Sequence, residues 1–384
     1  MKQTFLLGVL IMILTGCGSR GSGSAEQLME SIYKPRYAGG FELFHKPGSE
    51  STLLKLSGLW QGADTTASQY LFISRGGEQA PDGFKGQTLI GDAKRIVCMS
   101  SSQIAMLDAL GAVDRVVGVS GIDFISNKAI QAGRDTIADV GYDGNIDFER
   151  LVSLRPDLVM LYGVEGANPI EPKLRELGIP FVYIGEYMEQ SPLGKAEWLV
   201  AVGEMIGRRD SAERVFDRLP HRYDQLKQLA SCAASRPKVM LNTPYNDAWV
   251  MPSTRSYAVR LINDAAADYL YSQNTGTRSV PIDMEQAYSL LNQADVWINT
   301  GQFTSLASLK AAYPKLADTR PVVTGNVWNN NLRASPGGGS DYWESGAVNP
   351  DLILADLIAI FHPELADSLP GRTYYRSLAS ETKN

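Results

Sequence analysis

Residues 145–163 read NIDFERLVSLRPDLVMLYG, and a degenerate copy, PIDMEQAYSLLNQADVWINTG, occupies residues 281–301. Both carry Ile-Asp, an apolar residue, Glu, a short amphipathic helix containing Ser-Leu, a helix stop, an Asp and an apolar strand that ends in Gly. The offset of 136 positions that takes Glu149 to Glu285 also takes Ser153 to Ser289 and Leu154 to Leu290. Beyond that the register slips by two, Asp157 matching Asp295 and Gly163 matching Gly301, so the second helix or its exit is longer. A helix followed at once by a buried strand is half of a β/α unit, and two spaced copies predict two similar α/β lobes.

Each lobe then carries one glutamate at the mouth of an equivalent helix. A glutamate in a first helical turn is favoured by the helix dipole and by capping, so either one alone reads as local stabilisation. Their symmetric placement is what a basic, symmetric partner docking across both lobes requires.

The chain of 384 residues is 44% hydrophobic, enough for two cored domains. A net charge of −6 without a basic block argues against nucleic acid as partner. Three histidines (45, 221 and 362) and three cysteines (17, 98 and 232) do not cluster at ligand spacing. A protein-borne metal site or cofactor is therefore not expected, and any metal must arrive inside a ligand. Cys98 and Cys232 read as separate buried thiols.

At the N-terminus, Lys2 precedes an apolar run from Phe5 to Leu14, too short to span a bilayer and suited to a signal segment. Leu14-Thr15-Gly16-Cys17 resembles a bacterial lipoprotein box, which implies cleavage after residue 16 and lipidation of Cys17. Residues 17–24 form a flexible Gly/Ser tether. Gly18 follows the cysteine without an acidic sorting signal, so the expected location is the periplasm, with the membrane touched only by the lipid.

Residues 25–93 read as a β-rich extension with strands at 41–44, 53–56 and 70–73, and with Trp60 as a packing anchor. The first lobe, 94–190, opens with a strand at 95–99, a capping serine run at 100–102 and a helix to Leu110. Residues 191–235 read as connecting helices: one begins at Pro192, and a second, from Asp210 to about Ala230, is kinked by Pro220. The second lobe spans 236–369 and a tail 370–384. Its Gly- and Asn-rich stretch at 329–343 reads as a ligand lip.

The runs RIVCMSSSQIAMLDALGAVDRVVGVSG, DVGYDGNIDFERLVSLRPDLVMLYG and KLRELGIPFVYIG together resemble the iron-chelate and cobalamin periplasmic-binding domain, from about Lys94 to Leu365. The resemblance implies a type III substrate-binding protein: two Rossmann-like lobes with parallel sheets joined by a long backbone helix, here the second connecting helix. It also implies that Glu149 and Glu285 engage arginines of an ABC permease dimer, and that a monomer delivers the ligand.

The cleft is expected between the strand ends of the two lobes, with Tyr142, Tyr162, Tyr245, Trp249, Arg255, Phe303, Trp328 and Arg333 facing it. Aromatic faces stack on flat chelates, and arginines pair with their anionic groups. The expected function is capture of a metal chelate (ferric siderophore, haem or cobalamin) without chemistry. The alternatives are an enzyme or a non-transport binding protein on the same fold. A catalytic reading would need His221 or His362 beside Ser101, since the strained Gly-x-Ser-x-Gly turn is absent.

Overall fold

The computed structural model describes residues 29–62, 68–142, 144–245 and 248–379. The signal segment 1–16, Cys17 and the tether 17–24 lie outside the described residues, as do the last five positions.

The extension is one five-stranded sheet. Strands Glu30–Tyr33, Phe41–His45, Thr52–Ser57 and Ser68–Ser74 pair antiparallel in sequence order, and Gln87–Ile90 adds in parallel to the last. Sequence reading finds the three central strands, whose runs are apolar, and misses the two edges, Glu-Ser-Ile-Tyr and Gln-Thr-Leu-Ile, which face solvent on one side. Trp60 anchors the extension, its ring edge-on to Tyr183 with centroids 5.3 Å apart.

The first lobe holds five parallel strands in the order Phe181–Tyr183, Leu158–Leu161, Ile96–Cys98, Val116–Val119, Ala138–Asp139. The second has Asp268–Tyr269, Lys238–Leu241 and Val296–Ile298, also parallel, continued by a bridge from Trp297 to Val327. Near-continuous apolar strands covered by helices are what a parallel sheet requires.

The internal repeat survives as geometry. Asp157 accepts the backbone N–H groups of Lys94 and Arg95 at 2.8 and 2.9 Å, and Asp295 accepts that of Lys238 at 2.8 Å. Each aspartate thus pins the neighbouring strand of its own sheet. The two-residue slip is absorbed in the helix, Phe148–Ser153 in the first copy and the longer Met284–Gln293 in the second.

Helix Pro192–Met205 starts at a Ser191 cap and is buried along its whole length. It packs on strand Phe41–His45, on helix Ser101–Ala109 of the first lobe, and on helices Tyr257–Asp264 and Pro350–Phe361 of the second. The following helical run bends at Asp217 into Arg209–Phe216 and Arg218–Ser231. Pro220 sits in the first turn of the latter, where its missing N–H costs no helical bond. Cys98 is buried and Cys232 exposed, so the expectation of two buried thiols holds for Cys98 alone. Cys232 caps the C-terminus of helix Arg218–Ser231, where Ala230 turns inward and the thiol faces solvent.

Candidate functional site: an interlobe cleft and two docking helices

Loops after the parallel strands place side chains at the carboxyl edge of each sheet, the place where open α/β sheets bind ligands. In the first lobe these loops present Phe124, Tyr142, Tyr162 and Tyr187. Tyr142 is 51% exposed and stands edge-on to Phe124, 6.2 Å between centroids. Gly121 makes room for that ring: a Cβ there would come within 2.6 Å of Tyr142. Tyr162 is half-buried, and its carbonyl accepts a bond from the Asn168 amide.

In the second lobe, Tyr245 is 73% exposed on the hairpin that follows strand Lys238–Leu241. Phe303 is half-buried against Tyr313, 5.7 Å between centroids. Arg255 is exposed beside the Ser253 turn. Trp328 is half-buried, its indole N–H bonded to Asn326 and its face covered by Arg372 at 4.7 Å. Arg333 pairs with Asp341 at 3.0 Å.

Trp249 is not a cleft residue. It is fully buried, its N–H donates to the Leu241 carbonyl at 2.7 Å, and its ring packs on Trp297. The side-chain parity of strand Ala248–Met251 turns it inward. Phe124 and Tyr187, exposed aromatics on strand-end loops, were missed in sequence; the signal that finds them is an aromatic within a few residues of each strand end.

Beneath the strand ends lies a buried polar cluster. Ser102 donates to Glu186 at 2.5 Å, while the second carboxylate oxygen of Glu186 is buried without a partner among the described residues. Lys195, in the first turn of the buried helix, has its ammonium 5.3 Å from the Tyr257 ring centroid. Burial lowers its pKa, opposed by the charge of Glu186. Burial also pushes the Tyr257, Tyr342 and Tyr375 phenols well up, so these three stay un-ionised.

The stretch at 329–343 is more than a lip. Ser335 Oγ and the Gly337 N–H both donate to the Asp123 carbonyl, at 2.7 and 2.9 Å, which ties the second lobe to the first. A cavity of about 890 Å³ opens behind this strap, lined by Asp108, Ser126, Asn127, Arg333, Asp341 and Glu344 among others. Across the molecule, the extension bonds the first lobe through Gln61 N–H to Val164 O. Gly62 lies so close to the second lobe that a Cβ there would sit 2.8 Å from Arg278.

Glu149 and Glu285 are both exposed, each the second residue of its helix. The caps match too: Asp147 accepts from Arg150 N at 2.9 Å and Asp283 from Gln286 N at 2.8 Å. Neither glutamate forms an ion pair among the described residues, so both are open to a partner. His362 is buried against the Ala265 carbonyl and His221 is an exposed residue of a joining helix; neither bonds Ser101.

A family model described as periplasmic binding protein matches residues 96–327. An uncharacterized lipoprotein of Methanocaldococcus jannaschii is 28% identical over 70% of this chain, and the match spans 65% of that relative, under two thirds of its length. An uncharacterized ABC transporter substrate-binding lipoprotein of Bacillus subtilis is 28% identical over 34% of this chain and 39% of its own. Among solved structures, a periplasmic heme binding protein from Pseudomonas aeruginosa superposes with a TM-score of 0.55 at 21% identity, covering 71% of this chain and 93% of that one.

Proposed function

This chain belongs to the periplasmic binding protein family, and from that premise we propose that it is the substrate-binding lipoprotein of an ABC importer. It captures a metal chelate between its lobes and delivers it to the permease through Glu149 and Glu285. The observation that carries this reading is the matched pair of docking helices: an aspartate cap and an unpaired, exposed glutamate at the same position of each lobe. A surface built this way suits a permease dimer that offers a basic residue from each half.

The strand-end aromatics support a flat, partly apolar ligand, and the exposed Arg255 supports anionic groups on it. Ferric siderophore, haem and cobalamin all satisfy that description. The names of the similar proteins are consistent with such a role, one being a substrate-binding lipoprotein of an ABC transporter and another a heme binding protein. Lipidation at Cys17 would hold the body at the periplasmic face of a membrane.

The test is uptake of radiolabelled chelate by cells whose own copy is deleted. Complementation by the unaltered chain restores uptake, and the E149R/E285R double variant, expressed at the same level, does not. Full uptake with the double variant sinks the docking reading.

A further inference from the structure

Glu344 comes from the second lobe, is 2% exposed, and accepts the Ser126 N–H of the first lobe at 2.7 Å. It closes the strap described above, in which Ser335 and Gly337 bond Asp123. Glycine is demanded there: a Cβ on Gly337 would lie 2.7 Å from the Asp123 carbonyl oxygen, and one on Gly339 1.8 Å from that of Phe124. The contact is thus a built interlobe surface, and separating the lobes exposes Glu344 to water.

We propose that Glu344 is a proton-linked latch: seating residues 333–344 on residues 123–127 buries this carboxyl, so the lobes close with uptake of a proton. Burial in the closed state pushes its pKa up to about 7. The Ser126 and Asn127 N–H groups pull it back down, and the charges of Asp341 and Asp108 push it further up. Opened and solvated, the group returns toward its ordinary 4.5. The proton is therefore held more tightly when closed, and closure is favoured as pH falls below 7. Above 7 a bare carboxylate must be buried, and that advantage is gone.

The charged groups around this site are paired or stand at its edge. Arg333 is spent on Asp341, and Lys128 lies at the exposed edge of the cavity. Three helices pack on the adjoining turn Ser345–Ala347, and the first of them, Ser101–Ala109, brings the Asp108 carboxylate to the cavity. On Pro192–Met205, Glu197 is bonded to the extension and Glu204 to Arg75, and Lys195 faces Tyr257. On Pro350–Phe361, Asp351 pairs with Arg222 and Asp356 takes the N–H groups of residues 373–375.

Hydrogen exchange of the ligand-free full chain in detergent reads the latch directly, so its failure is separate from any failure of the chelate reading. After correction for intrinsic exchange, protection of the Ser126 and Asn127 amides is expected to fall roughly tenfold from pH 6 to pH 8. In E344Q, whose neutral amide stands in for the protonated acid, the same amides stay protected at both pH values. Equal pH dependence in the two proteins overturns the proposal. Gly337→Ala gives a second arm that leaves the carboxyl intact. By crowding the strap off Asp123 it lowers the protection of both amides at every pH, and protection equal to that of the parent there also overturns the proposal.

Discussion

Glu149 and Glu285 occupy one position twice: the second residue of a helix whose aspartate cap bonds the N–H three residues on. Helices of different length follow, so it is the helix start, not the whole unit, that the two lobes share. A helix N-terminus fixed by its cap holds the first-turn side chain in a defined direction, which a loop does not do.

Equal placement leads to equal effect. Single charge reversals, E149R and E285R, are each expected to lower uptake by roughly tenfold and by similar amounts, since each loses one interfacial charge pair. Because both side chains are exposed, melting temperatures stay within a degree or two of the parent. Calorimetric melts and transport assays on the two single variants check this, and a silent E285R with a dead E149R contradicts the symmetry.

Trp249 and Tyr245 lie four residues apart and separate packing from binding. Trp249→Ala empties the second lobe's core and is expected to cost about 3–5 kcal/mol in denaturant unfolding. Tyr245→Ala, 73% exposed, is expected to change stability by less than about 0.5 kcal/mol while weakening chelate affinity.

Glu197 holds the extension to the buried helix. Its carboxylate accepts the Tyr33 hydroxyl and the N–H groups of Arg36, Tyr37 and Ala38, all at 2.7–2.8 Å. Glu197→Ala leaves these donors unpaired, at about 1–3 kcal/mol for each one that stays buried. Limited proteolysis is expected to cut the 29–90 segment of this variant before the lobes, and uniform resistance would show that the sheet stays docked without the anchor.

Glu344 also links stability to pH. Its folded value, about 7, lies above the ordinary 4.5, so its contribution is fully present below 4.5 and is lost as pH rises through 7. The parent is thus expected to lose about 3 kcal/mol relative to E344Q between pH 4.5 and pH 8. Parallel melting curves for the two proteins across that range would contradict the assignment.

Much of this architecture is legible in the sequence because it is written locally. The Ile-Asp-x-Glu starts, the buried strands and the serine cap at 100–102 each occupy a few consecutive residues. What escaped was decided by neighbours distant in sequence. Trp249 and Tyr245 are both aromatics in a polar hairpin, and only the strand pairing to Val280–Ile282 tells which one is buried. Edge strands Glu30–Tyr33 and Gln87–Ile90 lack an apolar run because one flank meets water. The role of the glycines at 337 and 339 is set by the Asp123 and Phe124 carbonyls, some two hundred residues away.

The central claim is that the aromatic cleft takes a metal chelate, and titration calorimetry tests it most directly. The full chain in detergent is titrated with haemin, with cobalamin and with ferric siderophores, beside a Y142A/Y245A variant. One chelate binding at micromolar concentration or tighter, and at least tenfold more weakly to the variant, is the predicted result. No heat with any chelate, or identical binding by the variant, would contradict it.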